Sequence, residues 1–160
     1  MILLREAEKK EANELTGIAM RSKAYWGYSE EFMTACKQEL RGNGNMICNK
    51  NSLYVIAEDN GVIAGFYALG NVSSANIDLD LLFVEPEYIG SGIGRTLIEN
   101  AKQRAIRFGG RTLHIQGDPN AASFYYLAMG AELTGQRESA SIPGRYLPVF
   151  SIKLIGKDTT

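Results

Sequence analysis

The chain has 160 residues, of which 45% are hydrophobic and 22% charged, and its formal net charge is −1. This length and composition predict one soluble globular domain that spans residues 1–160. The small net charge argues against nucleic acid or an anionic membrane as a partner. Two cysteines, no apolar run of about 18 residues and an N-terminus that turns charged after Leu4 predict a cytoplasmic protein without a disulfide framework.

The first half of the chain predicts a strand, two helices and a hairpin. A short strand begins at Ile2, and a second helix begins near the capping residue Ser29. Between them, residues 8–25 have apolar side chains at helical spacing, at Ala12, Leu15, Ile18, Ala19 and Tyr25. Two β-rich runs within residues 52–70 flank Asn60-Gly61, the preferred centre of a type I′ hairpin turn.

The second half predicts strands around two helices. Residues 76–84 form a strand that ends before Pro86, and residues 92–108 form a helix that Gly109-Gly110 ends. Its apolar stripe consists of Ile93, Leu97, Ala101, Ala105 and Phe108. A strand in RTLHIQG, a short helix after Asn120 and two final strands around Pro143-Gly144 follow. The order β-α-α-β-β-β-α-β-α-β-β predicts a single α/β domain with a mixed sheet.

Where the strand of residues 76–84 leads into the helix of residues 92–108, glycines occur at every second position, at Gly90, Gly92 and Gly94. A bare backbone before a helix N-terminus allows close approach of an anion to free N–H groups, so the stretch predicts a phosphate cradle. The spacing G-x-G-x-G lacks the G-x-G-x-x-G of a dinucleotide fingerprint, and no lysine stands where a P-loop requires it. The alternative is a tight turn whose glycines serve packing.

Two segments resemble the GNAT N-acetyltransferase superfamily. FVEPEYIGSGIGRTLIENA, residues 83–101, resembles its acyl-coenzyme A motif, and DPNAASFYYLAMGAELTG, residues 118–135, resembles its second segment. Ile89 departs from the Arg or Gln usual at that place, so one side-chain phosphate contact is missing. One extra residue separates Asn120 from Gly130. Counting back from the glycine places the family's tyrosine at Tyr126, which we favour, whereas counting forward from Asn120 places it at Tyr125.

The resemblance implies a GNAT-like acyl-CoA N-acyltransferase fold and acetyl-CoA as co-substrate. It implies direct attack of a primary amine of a small molecule on the thioester, without a covalent enzyme intermediate. The residues expected to contact the coenzyme are Leu82, Phe83, Val84, Ile89, Gly90, Ser91, Gly92, Ile93, Gly94, Arg95, Asn120 and Tyr126.

The resemblance also assigns the proton transfers. The Tyr126 phenol would protonate the leaving thiolate, and Asp80, or Asp78 on the same strand face, would take the proton from the amine. The alternative for Tyr126 is an aromatic residue of the core, and the alternative for the aspartates is a solvated carboxylate on the strand. Trp26 and Tyr28 would border the acceptor pocket, or else form a hydrophobic hinge between helices. 

A structural role is the better interpretation of His114, the only histidine, and no cluster with metal-ligand spacing occurs, so we expect no metal.

Two other functions remain open at this point. A GNAT fold can serve as an acyl-CoA sensor without turnover, and Ile89 together with the ambiguous tyrosine register keeps that alternative. A protein or peptide N-acetyltransferase is the third. The resemblance also allows a homodimer through the last strands, and nothing in the sequence names the acceptor amine.

Overall fold

The computed structural model describes residues 2–25, 50–116, 131–138, 144 and 146–154. They form a seven-stranded sheet of order β1-β2-β3-β4-β5-β7-β6, in which only β4 and β5 are parallel. The strands are β1 Ile2–Glu6, β2 Ser52–Asp59, β3 Val62–Gly70, β4 Asn76–Val84, β5 Thr112–Gln116, β6 Glu132–Glu138 and β7 Tyr146–Lys153. The helices are α1 Ala12–Tyr25 and α2 Ile93–Arg107, with 3₁₀ turns at Lys9–Glu11 and Pro86–Tyr88.

The predicted mixed α/β sheet is therefore confirmed. Every described element appears in the predicted order, while the helices expected at residues 29–40 and after Asn120 lie outside the described residues. The hairpin also forms as expected, since Asp59 pairs with Val62. Asn60 and Gly61 have φ of 50° and 86°, the left-handed values that a type I′ turn requires at both central residues.

In the part of the chain that the structure describes, one helix packs on each face of the sheet, and we call these faces the α1 face and the α2 face. The α2 face buries Ile93, Leu97, Ala101 and Ala105 of the predicted stripe against a cluster that includes Val55, Tyr67, Leu69, Ile77, Leu79 and Leu113. The α1 face buries Leu15, Ile18 and Ala19 against Tyr54, Ile56, Ile63, Phe66 and Ala68. The side chains alternate between the two faces along the regular parts of the strands, and register shifts in the β2–β3 and β3–β4 ladders interrupt this alternation.

The last residue of each predicted helical stripe, Phe108 and Tyr25, is exposed, so the prediction that it lies on the buried side is wrong. Phe108 is 43% exposed because the helix ends at Arg107 and Gly109 adopts a left-handed φ of 90°. Gly110 N donates to Ala105 O and Gly109 N donates to Ile106 O, the paired bonds of a Schellman motif. Tyr25 is 54% exposed since it lies at the end of α1, three residues past the last buried residue, Ser22.

A charge cluster links β1, the first 3₁₀ turn and β2. The Arg5 guanidinium donates to both oxygens of Glu11, at 2.9 and 2.7 Å, and its Nε donates to Glu58 Oε1 at 3.2 Å. Glu11 also accepts a hydrogen bond from Glu8 N at 2.9 Å, so its carboxylate closes the turn from which α1 begins. Glu11 is only 8% exposed, and a buried carboxylate needs such partners.

Among the ranges described above, no helix is long and apolar enough to cross a bilayer.

We expect Glu11→Gln to lower the free energy of unfolding by about 2 kcal/mol at pH 7, since it removes charge-assisted bonds in a largely buried place. The hydrogen bonds from Arg5 hold the pKa of Glu11 below its ordinary value of 4.5. The contribution is therefore present above about pH 4.5 and is lost as the pH falls through the lowered value. Urea unfolding of both proteins between pH 3 and pH 7 measures this.

Glu8→Gln is the matched control, because Glu8 is mostly exposed and its ion pair with Lys10 spans 3.7 Å. Its effect should stay within about 0.5 kcal/mol. Equal losses for the two variants, or a Glu11→Gln loss that does not shrink in acid, would contradict the assigned role of the cluster.

Candidate active site

The glycine loop joins β4 to α2 through the 3₁₀ turn Pro86–Tyr88. Gly90 and Gly92 have left-handed φ values of 87° and 92°, and Gly92 is the N-cap of α2. A Cβ built on either glycine would meet nothing within 4 Å. The tight turn of the alternative interpretation is therefore present, since these two glycines are required for their backbone dihedrals. They serve no close packing within the described ranges, and they leave open space beside the chain.

The start of α2 presents a row of unused backbone donors. The first intrahelical bond runs from Thr96 N to Gly92 O at 3.0 Å. Within the part of the chain that the structure describes, the N–H groups of Gly92, Ile93, Gly94 and Arg95 have no acceptor. Free N–H groups at a helix N-terminus carry partial positive charge, so this row fits an anion such as a pyrophosphate.

Arg95 adds a full positive charge to this row. Its side chain is exposed and makes no ion pair with any residue in the described ranges. In the glycine loop that precedes the helix, the N–H and the hydroxyl of Ser91 both donate to Tyr88 O, at 3.0 and 2.5 Å. The predicted phosphate-contacting residues 89–95 therefore follow one another at the end of β4, although the Ile93 side chain is buried in the core and can offer only its backbone.

Two contacts that the sequence did not suggest hold this loop in place. The Tyr88 hydroxyl donates to Asp59 Oδ2 at 3.0 Å, which ties the 3₁₀ turn to the β2–β3 hairpin. Arg21 on α1 donates to both oxygens of Glu85, at 2.8 and 3.0 Å. Both partners are far away in the sequence, so no local pattern could have revealed these anchors. They anchor the segment between β4 and the glycines to the β2–β3 hairpin and to α1.

The pairing of β4 changes at Asp80. The parallel ladder to β5 runs only from Asn76 to Leu79, whereas the antiparallel ladder to β3 continues to Val84. Leu79 pairs with Leu69 and Leu81 with Ala68, so Asp80 is the extra residue of a β-bulge. A bulge bends and twists its strand, which accounts for β4 leaving β5 at this point. The predicted coenzyme strand, Leu82–Val84, begins just beyond.

Asp80 and Asp78 both lie on the α1 face, as the alternation predicted. The Asp80 side chain is exposed and its carboxylate lies over Gly70, where a Cβ would collide with it. Asp78 is half-buried, and its Oδ2 accepts a hydrogen bond from Asn71 Nδ2 at 2.6 Å. Asp80 therefore offers the more accessible carboxylate, beside the place where the two ladders part.

The only histidine has a structural partner. His114 on β5 is half-buried, and its Nδ1 lies 3.0 Å from Ser151 Oγ on β7, the residue opposite it in the ladder. Asp78 is its neighbour on β4, but that carboxylate is engaged with Asn71. Among the described residues, no group of three or more His, Cys, Asp or Glu side chains could hold a metal ion.

Several predicted site residues lie outside the described residues. They are the acceptor-side residues Trp26 and Tyr28, the coenzyme residue Asn120 and the alternative proton donors Tyr125 and Tyr126. Their roles remain predictions from the sequence. The structure brings together the remaining ones: Asp80, the strand Leu82–Val84 and the glycine loop follow one another along a single continuous stretch.

The chain resembles known acetyltransferases over most of its length. A family model described as "Acetyltransferase (GNAT) domain" matches residues 6–136. The peptidyl-lysine N-acetyltransferase YjaB of Escherichia coli is 25% identical over 157 residues, which is 98% of this chain and 99% of the relative. The enzyme of the same name from Salmonella typhimurium is 27% identical over 153 residues, 95% of this chain and 97% of that one.

Solved structures share the fold. The PaiA N-acetyltransferase of Thermoplasma acidophilum superposes with a TM-score of 0.79 at 22% identity, over 96% of this chain and 99% of the other. A GCN5-related N-acetyltransferase of Rhodopseudomonas palustris gives a TM-score of 0.78 at 25% identity, over 94% of both chains. Since the family model matches more than half of the sequence, the chain belongs to the GNAT acetyltransferase family, and the protein is an acyltransferase.

Proposed function

We propose that the protein transfers the acetyl group of acetyl-CoA to a primary amine. The observation that carries this proposal is the row of free N–H groups from Gly92 to Arg95, directly after the segment where β4 separates from β5. The Thermoplasma acidophilum relative was solved in complex with coenzyme A, and a Salmonella typhimurium structure of this fold with acetyl-CoA, which supports the same ligand here.

The described residues fit the coenzyme in two parts. The pyrophosphate would accept hydrogen bonds from the free backbone N–H groups of residues 92–95, next to the charge of Arg95. Ile89 supplies no polar side chain, so the backbone and Arg95 carry this contact. The pantetheine arm would lie beside Leu82–Val84, on the side of β4 that β5 leaves after Leu79. Asn120 would add a further contact.

The chemistry then needs positioning and two proton transfers. The amine nitrogen forms a bond to the thioester carbon, the carbon–sulfur bond breaks, and the sulfur receives a proton. Asp80 would accept the proton that the acceptor's ammonium must lose, and Tyr126 would donate one to the leaving sulfur. Backbone N–H groups near Phe83 and Val84 would donate to the developing oxyanion. Holding both substrates in register contributes much of the acceleration.

The acceptor is either a small-molecule amine or the ε-amine of a lysine in a peptide. Our interpretation of the sequence favours a small molecule, and relatives of this fold include an aminoglycoside 6′-N-acetyltransferase. The two curated relatives that match nearly the whole chain are named peptidyl-lysine N-acetyltransferases, which favours a lysine side chain. Both acceptors present a primary amine to the same carboxylate, so one assay compares them.

An amine panel with acetyl-CoA tests the proposal. The panel holds Nα-acetyl-lysine amide, a lysine-containing peptide, spermidine and kanamycin, and thiol release measures turnover. We expect steady release with at least one amine. We also expect acetyl-CoA to raise the melting temperature more than NAD or ATP does, since a ligand at 100 times its Kd stabilises by about 2.7 kcal/mol. Stabilisation by acetyl-CoA without turnover of any amine would favour the sensor, and a larger shift with NAD would refute both.

Arg95→Glu tests the anion site without loss of the fold. A carboxylate in the first turn of α2 is favoured by the helix dipole, so the melting temperature should not fall. Coenzyme A affinity, measured by calorimetry, should weaken by roughly tenfold or more because the charge beside the pyrophosphate is reversed.

Arg107→Glu, in the last turn of the same helix, is the control. It should lower the melting temperature slightly and leave coenzyme affinity unchanged. Equal affinities for wild type and Arg95→Glu would remove Arg95 from the site. Gly92→Val is a poorer probe, because a β-branched residue is strained at a φ of 92° and would disturb the turn itself.

The tyrosine register is decided by two parallel variants. If Tyr126 protonates the leaving sulfur, Tyr126→Phe should lower kcat by roughly 10²–10⁴-fold while coenzyme affinity stays near that of wild type. Tyr125→Phe should then change little, since adjacent helical residues point about 100° apart. The opposite pattern would assign the role to Tyr125. Wild-type kcat in both would exclude a phenol as the proton donor.

A further inference from the structure

Tyr54 on β2 is a buried residue that the mechanism above does not use. Its side chain lies on the α1 face, opposite Ala68 of β3, and is only 5% exposed. Within the described ranges, its hydroxyl has no hydrogen-bond partner. A buried phenol without a partner is unusual, because its polar end loses water without compensation.

The unpartnered oxygen still reaches open space. Within the described ranges, no side-chain nitrogen or oxygen that is sealed from solvent lacks a hydrogen-bond partner. Since the Tyr54 oxygen has none, it must border a space that a water molecule can enter. The side chain therefore buries its ring and keeps its hydroxyl at a point of the α1 face that solvent can reach.

The residues of β3 that lie between Tyr54 and Asp80 on this face are small. The intervening strand, β3, contributes only Ala68 and Gly70 to this face at these positions. The bulge turns the Asp80 carboxylate over Gly70, where any side chain would collide with it. The Tyr54 phenol on β2 and the Asp80 carboxylate on β4 thus lie on either side of two small residues of β3. One has only a methyl group as its side chain, and the other is a glycine.

The ring of Tyr54 is held in place by neighbouring aromatic rings. It stacks on Phe66 with centroids 6.5 Å apart and an interplanar angle of 11°. Phe66 in turn contacts Phe83 with centroids 5.9 Å apart. The row runs from Tyr54 across β3 to the end of β4, one residue before Val84. The hydroxyl is therefore fixed in position relative to the proposed thioester site.

The electrostatics agree with a shared polar site. Burial and the negative charge of Asp80 raise the pKa of Tyr54 to about 12, so the phenol stays protonated at neutral pH. It can then accept a hydrogen bond through its oxygen and donate its own proton to the carboxylate or to a water. A protonated primary amine is the ligand class that needs one negative charge and one further acceptor.

We propose that the Tyr54 hydroxyl and the Asp80 carboxylate together bind the ammonium group of the acceptor amine on the α1 face. This inference rests on the proposed function and makes Tyr54 a determinant of acceptor binding. The carboxylate pairs with the charge and takes the proton, while the phenol oxygen accepts a second N–H hydrogen bond and aims the nitrogen.

Tyr54→Phe tests the inference, because it keeps the ring and deletes only the hydroxyl. With the panel amine that the wild-type protein acetylates fastest, KM for the amine should rise roughly tenfold or more. The Kd for acetyl-CoA should stay unchanged, and kcat should change less than KM. The melting temperature should not fall, since the deleted hydroxyl makes no hydrogen bond to any residue that the structure describes.

Tyr67→Phe is the matched control. Tyr67 is fully buried on the α2 face, and its hydroxyl donates to Asn100 Oδ1 at 2.6 Å. This variant should lower the melting temperature and leave KM for the amine at the wild-type value.

Unchanged KM for the amine in Tyr54→Phe, with an active wild-type protein, would overturn this inference alone. A fall in melting temperature with parallel losses for both substrates would also overturn it, as a merely structural role predicts. If the wild-type protein acetylates no panel amine, the proposed function fails and this inference fails with it.

Discussion

β4 is held by two ladders, and one of them stops halfway along the strand. The antiparallel ladder to β3 continues to Val84, whereas the parallel ladder to β5 ends at Leu79. Because β4 stays bonded to β3, it remains a rigid strand beyond the point where β5 leaves it. A backbone edge next to that departure is the place where an extended ligand can lie beside a strand. The bulge at Asp80 marks the transition and turns a carboxylate onto the α1 face.

The glycine loop depends on this strand for its position. Val84 ends β4, and the chain then needs two left-handed glycines to enter α2 with its first N–H groups free. A glycine loop alone would be mobile, since glycine has the largest conformational freedom of any residue. The bonds from Tyr88 to Asp59 and from Arg21 to Glu85 restrict the start of the loop. The donors are thus arranged in advance, which lowers the entropy cost of binding an anion.

The two faces of the sheet differ in how their polar side chains are hydrogen-bonded. On the α2 face, the Tyr67 hydroxyl donates to Asn100 Oδ1, as a structural core requires. On the α1 face, the ring of Tyr54 is buried while its hydroxyl makes no hydrogen bond within the described ranges, and the Asp80 carboxylate lies above Gly70. A polar group whose hydrogen bond is left unmade lowers stability, so the Tyr54 hydroxyl is a group that a ligand can complete. This asymmetry favours the α1 face as the acceptor side.

Local signals in the sequence determined much of this structure. The Asn60-Gly61 turn, the strand Asn76–Val84, the helix after Gly92 and its glycine end form as expected, because each depends on residues close together in the chain. The resemblance in residues 83–101 and 118–135 also identified the family, which the match over residues 6–136 confirms.

Only the tertiary structure decided the rest. Phe108 and Tyr25 have the correct helical phase but lie beyond the covered part of the sheet, so their burial depended on where each helix ends against it. The parting of β4 from β5, the anchors of the glycine loop and the meeting of Tyr54 with Asp80 join residues from different strands and helices. Such contacts arise from strand register and packing, which are long-range properties that no short stretch of sequence contains.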